Sequence, residues 1–378
     1  MRIVADENIP YLEALLHHYP VDLLRVDGRR LSADQVVNAD AILCRSVTQV
    51  TADLLEGSAV KYVGSATIGV DHIDTAYLRE KKIGFTNAPG CNANAVAQYV
   101  LSAILHAKAI GRLRREPLTA GIVGYGNVGK RVAQYLSAIG IHCLVNDPPE
   151  HERSPIANHV SFNELLAQSD IVTLHVPLTK VEDSPYPTYH MINNDTLESI
   201  KPDAVLINTA RGAVIDNQAL CDVLKRNDRL YTAIDVWESE PAPMKELVSR
   251  VDLATPHIAG YSLDGKYAGT LQVVNGLIKQ FGLSEKDTPN VALPPIMVDK
   301  VVLHPELGLF DALGALAKNV YDINIDSGFL KHAIEYSNIS ERFDQWRKNY
   351  RLRREFGALA VEAPEFGDVY SKLGFNVV

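Results

Sequence analysis

Histidine is the side chain best suited to take a proton near neutral pH, and His257 stands in "ATPHIAGYS", just past an apolar run. Upstream, "WESEPAP" offers two carboxylates, Glu238 and Glu240. A carboxylate beside an imidazole fixes its tautomer and raises its basicity. "NTARGAVID" puts Arg211 in a loop after another apolar run, and a guanidinium there stays charged and can grip a carboxylate through two bonds. Together these types allow a proton to be taken from a substrate whose carboxylate is held. Singly, each reads as readily as a solvated arginine or a structural histidine, so their joint occurrence carries the expectation.

A redox partner is suggested by "AGIVGYGNVGKRVAQYL", residues 120–136. Gly124, Gly126 and Gly129 follow a strand-like run and precede a helix-like one, the context that raises a G-x-G-x-x-G above chance. The first glycine permits a tight turn, the second lets backbone approach a pyrophosphate, and the third lets helix and strand pack closely. Asn127 and Val128 lie between them, where a helix N-terminus would hold the phosphates. Asp147, ending "HCLVND", stands where a carboxylate accepts from ribose hydroxyls and disfavours a 2'-phosphate. NAD is therefore expected rather than NADP.

The elements that must position these residues follow a βα rhythm. "RIVADE", "AILCRS", "VKYVGSA" and "IGFTNAP" read as strands of a first parallel sheet. "NANAVAQYVLSAILHAKAI" is a long apolar helix with Asn92 or Asn94 as its cap. Six further strand runs follow: "TAGIVGYG", "HCLVNDP", "DIVTLHVP", "AVLINTA", "YTAIDVW" and "LATPHIAG". "DGKYAGTLQVVNGLIKQFG" is a helix, and "SEKDTPNVALPP" a polar linker to a charged tail. The fold class is α/β: a Rossmann-type NAD-binding domain at 93–265, inserted in a flavodoxin-like substrate domain at 1–92 and 266–286. A small α+β C-terminal domain takes 287–378.

Composition narrows the partners. The net charge of −9 and a pI near 5.7 argue against a general binder of nucleic acid or anionic membrane. The four cysteines, Cys44, Cys91, Cys143 and Cys221, form no C-x-x-C pair, so neither a metal site nor a disulfide framework is expected. No signal peptide and no run long enough to cross a bilayer is read in the sequence, and a cytoplasmic location is expected.

The ordered set "GIVGYGNVG", "LHVPLT", "INTARG", "AIDVWESEP" and "TPHIAG" resembles the D-isomer-specific 2-hydroxyacid dehydrogenases over residues 1–285. The resemblance implies that Arg211, Glu240 and His257 are catalytic. Glu240 directly precedes Pro241, as in the family motif, while Glu238 occupies the same neighbourhood. It further implies that Ser46, Thr67 and Tyr261 contact substrate, and that Val176, Thr209, Ala210, Arg211, Asp235 and Gly260 line the cofactor. "ADENIPY", "CRSVT", "SATIGVDHID", "PTYHMI", "HPELGLFDAL" and "FDQWRKNYRLRREF" resemble one branch of the family. That branch acts on a phosphorylated 2-hydroxy acid and dimerises through its C-terminal domain, so the resemblance implies a homodimer here. A substrate phosphate needs cations: Arg45 and the tail residues Arg347, Arg351, Arg353 and Arg354 are candidates, although a charge run more often forms a solvated face. Alternatives are a dehydrogenase of another phosphorylated 2-hydroxy acid, such as 3-phosphoglycerate, or a corepressor-like protein that senses NAD(H).

Overall fold

Runs of aliphatic residues that end in polar loops form parallel strands here, closed by helices. The computed structural model describes residues 1–284, 291–363 and 365–378. The boundary expected between residues 286 and 287 lies outside the described residues. The chain divides into two compact units, one of Met1–Asn92 with Ser262–Pro294, the other of Ala93–Tyr261 with Pro295–Val378.

The first unit holds five strands, β1 (Arg2–Asp6), β2 (Asp22–Val26), β3 (Ala41–Cys44), β4 (Tyr62–Ser65) and β5 (Gly84–Thr86). All neighbours are parallel, in the order β2-β1-β3-β4-β5, the flavodoxin-like winding. The expected runs supply four of them, and β2, "DLLRV", is an addition. It lies at the sheet edge and is buried only at Val26, so its pattern carries little apolar signal. Both sheet faces are covered, as parallel strands require. Ile3, Ala5 and Leu43 pack with Val273 and Leu277 of the helix Leu263–Gln280, while Val4, Ile42 and Val63 join Val36 and Leu54 on the other face. Ser262 starts that helix, its hydroxyl accepting from Gly265 N at 2.9 Å.

The second unit contains β6 (Thr119–Val123), β7 (His142–Asn146), β8 (Ile171–Leu174), β9 (Val205–Asn208), β10 (Tyr231–Ile234) and β11 (Leu253–Ala254). These are the six expected strands, parallel, in the order β11-β10-β9-β8-β6-β7. Beyond β7 a single parallel bridge, Val145 to His159, stands where a fully wound dinucleotide domain has one more strand. The helix Ala93–Ala109 is buried on nearly all sides, as its continuous apolar composition demands.

The tail adds β12 (Lys300–Val302), β13 (Ala360–Glu362) and β14 (Asn376–Val377) in a small parallel sheet. Its helices are Leu309–Val320, Ile323–Ala333 and Ile339–Lys348. Leu313, Leu316, Phe356 and Val361 share one core with Val100, Ile104, Tyr135 and Leu136. The charged run does not form a wholly solvated face: Arg353 is 1% exposed.

Candidate active site

The glycine turn is the first part of the site to be fixed by sterics. Gly124 sits at φ +91°, and a Cβ there would come within 2.7 Å of the His175 carbonyl carbon. At Gly129 a Cβ would lie 2.0 Å from Gly124 O. Gly126 is different: nothing lies within 4 Å of its Cβ position. Thus two glycines serve the turn and its packing, and the middle one leaves open space over the backbone. The helix Asn127–Ala138 begins at Gly126 with no side chain capping its first N–H groups, an arrangement suited to an anion. Asn127 is exposed and Val128 half-buried on that first turn. Asp147, at the end of β7, accepts from Tyr125 N at 2.6 Å and from Glu150 N at 3.0 Å. It therefore braces the turn, and an ionised carboxylate retains acceptor capacity for ribose hydroxyls. These residues fit the pyrophosphate and ribose of NAD.

The next walls come from the loops after β8 and β9. Val176 is half-buried, and its neighbour His175 is held between Thr173 Oγ1 at 2.9 Å and Thr209 Oγ1 at 3.2 Å. Burial pushes the His175 imidazole down to about 3, so it is neutral. His175 was not among the expected residues; its two hydroxyl partners lie apart in sequence, so only the fold joins them. Ala210 is buried, its N–H donating to Asn208 Oδ1 at 3.0 Å, and Arg211 Nη1 donates to Ala210 O at 2.8 Å. A Cβ on Gly212 would fall 1.9 Å from the Trp237 carbonyl carbon. That close approach brings the Arg211 loop against the segment that carries Glu240.

Glu240 and His257 meet: His257 Nδ1 and Glu240 Oε2 are 2.7 Å apart. Glu240 Oε1 also accepts from Trp237 N at 2.9 Å. Burial pushes the Glu240 carboxyl up, but the His257 charge, the His257 hydrogen bond and the Trp237 N–H outweigh it and leave the group below its ordinary value. Glu238 is occupied elsewhere. It pairs with His190 Nε2 at 2.5 Å and accepts from Asn217 N at 3.1 Å. The choice between the two carboxylates that the sequence left open is decided by this geometry in favour of Glu240 as the partner of His257. His190, in "PTYHMI", is a second histidine–carboxylate pair that sequence spacing did not reveal.

His257 has φ +55°, a strained value for a residue with a Cβ. Its N–H donates to Asp235 O at 2.7 Å. Asp235, 1% exposed, accepts from Thr255 Oγ1 at 2.6 Å and from the N–H groups of Ile258 at 2.8 Å and Ala259 at 2.9 Å. Burial raises its pKa against the opposing His257 charge and these donors. From the other side, Arg353 donates to Ile258 O at 3.3 Å, Ala259 O at 3.0 Å and Ala95 O at 2.7 Å. Gly260 and Tyr261 follow, both half-buried, with Tyr261 N donating to Ile258 O at 2.8 Å.

The remaining expected residues belong to the first unit. Arg45 follows β3 and donates to Asn8 O at 3.4 Å; Ser46 is exposed beside it. Thr67, in the loop after β4, shares a 2.8 Å hydrogen bond with Ser65, which also contacts His72 Nε2 at 3.0 Å. Lys266, which the sequence reading missed, is a cation of the same unit: its surroundings, and then the charge of Arg45, push its amine down to about 8. Among the described residues no group of three His, Cys, Asp or Glu could hold a metal, and no helix is long and apolar enough to cross a membrane.

The chain is similar to known proteins along its whole length. Residues 98–259 match the family model described as D-isomer specific 2-hydroxyacid dehydrogenase, NAD binding domain, and residues 292–374 match a domain of unknown function, DUF3410. A curated protein of Escherichia coli O7:K1 named erythronate-4-phosphate dehydrogenase is 42% identical over 380 residues, covering 100% of this chain and 99% of that one. A Shigella flexneri protein of the same name is 41% identical with the same coverage. Among solved structures, D-lactate dehydrogenase from Aquifex aeolicus, complexed with NAD and lactic acid, is 25% identical with a TM-score of 0.57, covering 75% of this chain and 95% of that one. NAD+-bound 3-phosphoglycerate dehydrogenase of Entamoeba histolytica shares the fold at 24% identity and a TM-score of 0.61, covering 78% of this chain and 99% of that one.

Proposed function

The chain belongs to the D-isomer-specific 2-hydroxyacid dehydrogenase family, in its erythronate-4-phosphate dehydrogenase branch, and on that premise we propose the following reaction. The protein is an NAD-dependent oxidoreductase that oxidises 4-phospho-D-erythronate to (R)-3-hydroxy-2-oxo-4-phosphooxybutanoate. The observation that carries the chemistry is the 2.7 Å pairing of His257 Nδ1 with Glu240 in the same unit as the glycine turn.

With Nδ1–H donated to Glu240, the other ring nitrogen, Nε2, presents its lone pair as the base for the C2 hydroxyl proton. Glu240 stays ionised and stabilises the imidazolium that forms. Arg211 grips the C1 carboxylate and polarises the C2 oxygen. NAD+, when bound, accepts the hydride that leaves C2. Gly124, Gly126, Asn127, Val128 and Gly129 hold its phosphates and Asp147 its ribose, while Val176, Thr209, Ala210, Asp235 and Gly260 line the rest. Ser46, Thr67, Tyr261 and Arg45 contact the substrate.

The product suits a route to pyridoxal 5'-phosphate, the reading that goes with the branch, in a cytoplasmic enzyme. The tail, small and sharing its core with the rest of its unit, is read as a homodimer contact; light scattering that gives only monomer at micromolar concentration would overturn that part.

The reaction is tested by incubating the purified protein with NAD+ and 4-phospho-D-erythronate, with a 2-oxo acid as acceptor in a parallel tube, and assaying the 2-oxo product. Product from this substrate, lost in His257→Ala, supports the reading. Preference for 3-phosphoglycerate keeps the family and sinks the substrate; NAD binding without turnover of any candidate favours a corepressor-like protein.

A further inference from the structure

We propose that Arg347, contributed by the C-terminal segment of the same chain, is the specificity-determining cation that takes the substrate's phosphate. The inference rests on the 4-phospho-D-erythronate reading and gives the tail a direct part in substrate selection.

Three of the tail arginines differ in what they already hold. Arg353 is buried and donates to three backbone carbonyls. Arg351 donates to Asp322 O at 3.3 Å and pairs with Asp326 at 3.4 Å. Arg347, at the end of the helix Ile339–Lys348, places its guanidinium carbon 5.5 Å from the Tyr261 ring centre and 5.9 Å from that of Phe343. It hydrogen-bonds the Tyr261 side chain, but its Nε is buried and has no hydrogen-bond partner among the described residues.

The carboxylates nearest in electrostatic terms, Glu240 and Asp235, are already engaged. Glu240 is taken by His257 and Trp237 N, and Asp235 by Thr255, Ile258 N and Ala259 N. A largely enclosed guanidinium without a dedicated counter-ion is costly unless an anion completes it. A phosphate monoester brings up to two negative charges and three acceptor oxygens at neutral pH, and the planar fork of arginine matches it. Tyr261 directly follows the histidine loop, so the cation stands next to the residues that handle C2. Arg211 takes the carboxylate end of the substrate, which leaves a second arginine for the phosphorylated end. Burial opposes the charge on Arg347, but Tyr261 and Glu240 overcome it and raise the guanidinium above its ordinary value, so the cation persists at every working pH.

The test compares kcat/KM for 4-phospho-D-erythronate with kcat/KM for unphosphorylated D-erythronate, in the full-length enzyme saturated with NAD+. In Arg347→Gln the ratio falls about 30-fold or more, the size of a lost charge-assisted contact, and in Arg347→Lys it falls by a smaller factor of about tenfold. Inorganic phosphate, competitive with D-erythronate in the unaltered enzyme, loses potency in both variants. A ratio within threefold of the unaltered enzyme in either variant that folds, with both substrates slowed alike, overturns the proposal and makes Arg347 a positioning residue. If the unaltered enzyme ignores 4-phospho-D-erythronate, the parent reading fails separately. Arg347 is then judged by the same ratio for 3-phosphoglycerate against glycerate.

Discussion

Asp235 and Arg353 hold the same two residues by opposite ends. Asp235 accepts from the N–H groups of Ile258 and Ala259, and Arg353 donates to their carbonyls. The loop that carries His257 in a left-handed conformation is thus fixed by one carboxyl group just past β10 and one guanidinium from the tail. Replacing Arg353 with Met leaves three buried carbonyls without that donor, and should cost about 2–4 kcal/mol in urea unfolding. Because the clamp acts on the loop of the proposed base His257, kcat should fall more than KM rises, and Arg353→Lys should restore part of both. A stability loss with kcat unchanged in the folded fraction would refute the positioning role.

Glu240→Gln keeps the size of the side chain and removes the charge that supports a protonated His257. Turnover should drop about 100-fold or more, with NAD(H) binding by fluorescence little changed. Glu238→Gln, which disturbs only contacts with His190 and Asn217, should stay within a few-fold of the unaltered enzyme. Equal losses in the two variants would contradict the assignment.

The glycine turn separates a packing role from a binding role. Gly129→Ala drives a methyl group into Gly124 O and should cost about 1–3 kcal/mol, read as a lower Tm. Gly126→Ala meets nothing in the protein, so its Tm should hold while its affinity for NAD falls at least tenfold. A matching loss of Tm in both would show that Gly126 is also structural.

Stability should fall on the acid side through His175. In the unfolded chain an imidazole takes a proton below about pH 6.5; in the folded protein burial holds this one down to about 3. The group's contribution is therefore complete above the unfolded value and is lost as pH falls from 6.5 towards 3. The limiting slope is about 1.4 kcal/mol per pH unit, reduced by the part of the ring that still meets solvent. In His175→Gln the slope between pH 6.5 and 5 should flatten in chemical denaturation. An unchanged slope would place the acid sensitivity elsewhere.

Much of this was legible before any coordinates, and for physical reasons. The six strands of the cofactor unit are largely buried, mostly apolar runs bounded by turn residues, and the glycine turn states its steric needs in its own spacing. The pairing of Glu240 with His257 was suggested by residue type, but Glu238 could be set aside only once His190 and Asn217 were seen to hold it. β2 was missed because an edge strand buries little. The tail misled most: its arginines look like a solvated helix face, yet Arg353 is buried by carbonyl partners that are remote in sequence, which no local pattern encodes.

The core shared by Val100, Ile104, Tyr135 and Leu136 with Leu313, Leu316, Phe356 and Val361 also bears on how the protein comes into being. A chain made from its N-terminus can wind the six-stranded sheet early, but one wall of that core and the Arg353 clamp are synthesised only after the whole of that sheet. The loop that carries His257 would therefore reach its final shape only after residue 353 has been made, and a product cut short before that residue would expose apolar surface instead of keeping a smaller folded protein.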